Sequence, residues 1–229
     1  GKRMRTSLQR TVVPALLLSA LCVAGGLLAA DATPGELLSQ AQQQYDKHNY
    51  KSTVELCDKA LAAEAPPDVA LQAKRLRAMG LCRTPEVLGA EYAAQIMKEH
   101  PELLTDAELW LAVGVERQQR GPIKDAYEAY RKAAELFEKA QRLPDAADAW
   151  MGAAESLCRD WSILPQPDQQ RAESLPWDWP QRRRHTLEEV LRICEHVASP
   201  KVDDERRARA LYFGAQQAVQ AGEWEMAEK

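Results

Sequence analysis

The run AELWLAVGVERQQRGPIKDAYEAYRKAAEL, residues 107–136, constrains the fold more than any other stretch of this chain. Trp110, Val113 and Gly114 fall on one face of a first helix. Ile123, Ala126, Tyr130 and Ala133 fall on one face of a second, and Gly121-Pro122 breaks the chain between them. Each helix carries an apolar stripe that it cannot bury alone, so the chain must pack helix against helix.

The rest of the sequence repeats this theme. Ala, Leu, Glu, Gln, Arg and Lys dominate, all good helix formers, and no run of apolar–polar alternation persists. With two Phe and six Tyr the core must be aliphatic and small-residue, which suits closely packed helices. The expected fold class is all-α.

Residues 1–32 read as a targeting segment. Lys2, Arg3, Arg5 and Arg10 precede an uncharged stretch from Val12 to Ala30 that ends in the small residues LLAADA. That order is the pattern of a secretory signal peptide, with cleavage expected after Ala30 or Ala32. The other reading is an uncleaved membrane anchor, since the uncharged stretch is just long enough to span a bilayer. Cys22 does not make a lipoprotein signal, because Leu21 stands where such signals place Gly or Ala. The expected location is periplasmic or extracellular, with membrane contact only through this segment. Setting aside these four basic residues and Asp31 leaves 26 basic against 33 acidic side chains, a net charge of −7. An acidic chain is a poor nonspecific nucleic-acid binder.

Helix signals recur along the remainder. Thr33 to Glu36 reads as a capping box opening a helix to about Lys47, and a second helix runs to about Ala63. Pro66-Pro67 ends that pair. Asp68 to Leu81 is the next helix, and Thr84-Pro85-Glu86 reads as the start of its partner. Thr105 to Glu108 reads as a capping box for the central pair, whose second helix is expected to reach about Gln141. A helix over 145–158 follows, with Ala146, Trp150, Ala153, Ala154 and Leu157 inward. Residues 160–185 carry four prolines and three tryptophans and are expected to form a long loop. Thr186 to Glu189 reads as a capping box that restarts a helix, and a last unit begins near Asp203. Its second helix breaks off at Lys229, which reads as a chain cut from something longer.

No catalytic signature is present: no Gly-rich phosphate loop, H-E-x-x-H, G-x-S-x-G or C-x-x-C. His48, His100, His185 and His196 lie far apart, at helix ends or turns. No enzyme activity, cofactor or metal is expected. Cys57, Cys82, Cys158 and Cys194 sit in or beside apolar helical faces, where free buried thiols are the usual outcome. If a disulfide forms, Cys158 with Cys194 is the expected pair, since they flank the long loop. In that loop Trp161, Trp177 and Trp179 have two readings. They fold back over the helix at 145–158, or, with Arg182, Arg183 and Arg184, they make a docking spot of the residue types that dominate binding hot spots.

The spacing of Trp110, Gly114, Gly121, Ala126, Tyr130 and Ala133 resembles the tetratricopeptide repeat. Leu211, Ala215, Gly222, Trp224 and Ala227 repeat it well; Ala41, Tyr50, Ala60 and Leu61 repeat it more loosely. The resemblance implies a right-handed solenoid of antiparallel helical hairpins, with the first helix of each pair lining a concave groove that binds a peptide or protein segment. Carried over by position, that groove is lined by Gln42, Tyr45, Leu111, Val115, Gln118, Tyr212 and Gln216. The set lacks the cations with which some members hold a terminal carboxylate, so no such clamp is expected. The leading functional reading is a noncatalytic protein-interaction scaffold of the bacterial envelope or secreted space. The alternatives are a helical spacer in a larger exported protein and, remotely, a hydrolase with an unrecognised site.

Overall fold

Prolines stand in the first turn of four of the described α-helices. In the computed structural model, which describes residues 32–85, 88–121, 123–163 and 179–222, Pro34 begins α1 (Pro34–Asp46) and Pro67 begins α3 (Pro67–Cys82). Of residues 123, 160–163 and 179–183 the backbone alone is described. Pro144 is the second residue of α7 (Leu143–Ile163), and Pro180 the second of α8 (Trp179–Val197). The first turn of a helix has no use for its N–H groups, so a ring that removes one costs nothing there. The other helices are α2 (Tyr50–Ala62), α4 (Gly89–Glu99), α5 (Ala107–Arg120), α6 (Ile123–Lys139) and α9 (Asp204–Ala221). A short 3-10 turn spans Pro101–Thr105. The fold is all-α, and no strand occurs among the described residues.

Two expected boundaries move. Helix α7 runs on through residue 163 rather than ending at Cys158, and α8 begins at Trp179 rather than Thr186. Trp161, Trp179, Arg182, Arg183 and Arg184 therefore lie on helices and not in a loop. Trp177 lies outside the described residues, as does the stretch 164–178.

Two expected caps are also corrected. Thr84 does not open a helix: its hydroxyl donates to the Gly80 carbonyl, 2.9 Å away, and closes α3. Thr105 likewise turns back, to the Glu102 carbonyl. The cap of α5 is Asp106, whose carboxylate accepts from the amides of Glu108 and Leu109, both at 3.1 Å. Helix α4 is capped from a distance. The buried Glu116 of α5 accepts from the Ala90 amide at 2.6 Å.

Each helix packs on the next in sequence, and α1 also touches α3, α3 touches α5, α5 touches α7 and α7 touches α9. Half of the buried apolar residues among those described are alanines, which lets the backbones approach closely. Helix α6 shows the pattern at its cleanest, burying Ala126, Ala129, Tyr130, Ala133, Ala134 and Phe137 along one stripe. Tyr130 enters between two helices. A β-carbon on Gly114 of α5 would stand 2.9 Å from its Cδ1, and one on Gly152 of α7 would stand 2.6 Å from its Cε1. The phenol donates to Gln118 Oε1 at 2.7 Å, and burial pushes its pKa up to about 12.

Alanine is the better helix former by ~1 kcal/mol, so an open helical site should gain from Gly→Ala. Gly35, with nothing within 4 Å of its would-be β-carbon, is the control and should gain modestly. Gly114→Ala and Gly152→Ala should each lose about 1–3 kcal/mol in urea unfolding, because the ring has nowhere to go.

Candidate functional site

The odd-numbered helices carry every residue expected to line a groove. At the start of the array, Gln42 on α1 is exposed and donates to Asp46 at 2.9 Å. Tyr45, one turn on, is half-buried. It meets the Tyr50 ring edge-on at 5.4 Å, and burial outweighs the nearby Arg83 to raise its pKa.

On α5, Leu111 and Val115 are half-buried and pack on the core cluster that holds Tyr130, Ala147 and Met151. Gln118 gives its side-chain oxygen to the Tyr130 phenol and its backbone carbonyl to Arg159. These three residues hold α5 to its neighbours. On α9, Tyr212 is 73% exposed and Gln216 is exposed beside it. Leu211 and Val219 are exposed on the same helix. The structure thus leaves Gln42, Tyr212 and Gln216 open, at the first and last described helices, and uses Tyr45, Leu111, Val115 and Gln118 for packing.

Sequence reading missed the ion pairs that run from one odd helix to the next. Arg75 on α3 bonds the capping Asp106 and reaches Glu108 at 2.6 Å. Glu108 accepts in turn from Arg142 at 2.9 Å, and Arg142 reaches Asp145 on α7 at 2.8 Å. Arg206 on α9 grips Asp148 on α7 with two nitrogens, at 3.0 and 2.8 Å. Apart from Arg142 and Asp145, which are three residues apart, the partners are separated by 31 to 58 residues, beyond any short-range pattern.

The four described cysteines, Cys57, Cys82, Cys158 and Cys194, are free thiols. Cys158 and Cys194 belong to one core region, and burial pushes each pKa up to about 12, so neither forms a reactive thiolate at neutral pH. Arg184 is exposed and pairs with Glu188 at 3.6 Å. Among the described residues no three His, Cys, Asp or Glu side chains are grouped to hold a metal, and no helix is long and apolar enough to cross a membrane. Comparison with known proteins matched no family model, no curated protein and no solved structure.

Burial alone would raise the Glu108 pKa, but its bonds to Arg142 and Arg75 outweigh that and hold it below the usual 4.5. A carboxyl depressed in the folded state adds stability that is complete above its unfolded pKa and is lost as pH falls through the folded one. Acid titration of stability should therefore steepen below about pH 4.5, and Arg75→Leu should flatten that segment while leaving the neutral-pH helix content unchanged.

Proposed function

We propose that this chain is a protein-interaction scaffold of the tetratricopeptide kind, exported by its N-terminal segment into a bacterial envelope or secreted space. The carrying observation is that each odd helix touches both its sequence neighbour and the next odd helix. Paired helices stacked in a right-handed solenoid make those contacts, and the first helices then line a common groove. The exposed Tyr212, Gln216 and Gln42 offer aromatic and amide groups for an extended or helical segment of a partner. No step of chemistry is assigned to the groove.

The engagement of Leu111, Val115 and Gln118 in the fold itself supports a second reading, a spacer with no ligand in its groove. The two part company in a capture experiment. The full chain and a Tyr212→Glu, Gln216→Glu variant are used to fish envelope extract, after circular dichroism shows equal helicity. Both changes sit on exposed positions, so stability should hold within about 0.5 kcal/mol. The scaffold reading expects a partner held at least ~10-fold more weakly by the variant, as for loss of an aromatic anchor. Equal capture, or none, would count against the groove.

A further inference from the structure

A cleft of about 350 Å³ opens beside the end of α6, the start of α7 and the end of α8, and it uses none of the groove positions. Leu143, Ala147, Trp150 and Val202 give it an apolar wall, and Glu138, His196 and Lys201 supply its charge-bearing groups. Three of these side chains are locked together. Glu138 Oε1 accepts from Trp150 Nε1 at 2.8 Å and meets His196 Nε2 at 2.6 Å. A carboxylate only accepts, so Nε2 carries the proton. The His196 ring also stands edge-on to the indole, 5.6 Å between centroids. The same three residues line a smaller neighbouring cleft of about 190 Å³ with Arg192 and Ile193.

The charge left to serve a ligand follows from this lock. Glu138 Oε1 is engaged by two N–H donors. Arg192 is held by Glu189 at 2.6 Å. Lys201, on the turn that leads from α8 to α9, lines the cleft with no hydrogen-bond or ion-pair partner among the described residues. The cleft thus combines one unspent cation with a rigid aromatic wall, and its volume lies at the small end of ligand sites, ~300–1,000 Å³.

We propose that this cleft binds a small organic acid, with its carboxylate on Lys201 and a compact apolar body against Trp150. The assignment is independent of the groove reading and stands if that reading fails.

The test follows the Trp150 indole N–H and His196 ring resonances of the full chain by NMR, with Trp150→Phe assigning the indole signal. The probe is N-acetyl-leucine, and N-acetyl-leucinamide is its uncharged counterpart. The acid should shift both resonances saturably with a half-point of about 1 mM, as suits so small a ligand. Lys201→Gln, a change on an exposed turn, should weaken it ~10-fold, and Lys98→Gln on α4 should not. Gly-Gly-Leu tests the source of the acid: equal binding points to chain ends as well as free acids, weaker binding to free acids alone. No saturable shift by ~20 mM, equal binding of the amide, or indifference to Lys201→Gln would overturn the proposal.

Discussion

The structure depends on one ring. Tyr130 of α6 stands against Gly114 of α5 and Gly152 of α7, with its hydroxyl tied to Gln118. Neither glycine is there for backbone freedom. Each is a missing side chain, and the two vacancies together are filled by one phenol. Helices that contact through alanine and glycine can slide, since small side chains interlock weakly. A large aromatic seated in two recesses sets the register of three helices at once. That register decides which residues of α5 reach α7, and hence why Leu111 and Val115 are half-buried against its core.

A second constraint runs from helix to helix through charge. Arg75, Glu108, Arg142 and Asp145 alternate in sign from α3 to α7, and Asp148 and Arg206 join α7 to α9. The more exposed of these pairs, such as Arg142 with Asp145, are individually weak, ~0–1 kcal/mol, but a charge out of place would oppose its neighbours in the run. The ion pairs therefore favour one order of helices over another more than they add stability. Asp106 serves twice, capping α5 and holding Arg75, so local helix signal and tertiary contact coincide there.

The helices were legible in the sequence because their stripes are regular, and α6 is the plainest case. Their ends were less so. Proline reads as a breaker in a string of letters, yet Pro144 and Pro180 sit in first turns, where the lost N–H has no partner to lose. That misled the starts of α7 and α8, expected at Asp145 and Thr186 and found at Leu143 and Trp179. Thr84 and Thr105 matched a capping pattern but turned back on the preceding helix. The true cap of α4 comes from Glu116, 26 residues away, and only a charge inside an apolar stripe hinted at it. The groove was legible as helix and phase alone. Leu111, Val115 and Tyr212 share a phase, but the first two pack on the core shared by α6, α7 and α8, while Tyr212 is open on α9. The Glu138, Trp150 and His196 cluster had no signal at all, since its members come from three helices.

The central claim is that successive odd helices are coupled neighbours, with Tyr130 as the coupling between α5 and α7. Native-state hydrogen exchange measures this directly, because coupled helices open together. The account predicts that the buried amides of α5, α6 and α7 share one opening free energy, that α1 and α9 open at lower cost, and that Tyr130→Ala splits α5 from α7. Independent opening of α5 and α7 in the unsubstituted chain would contradict it.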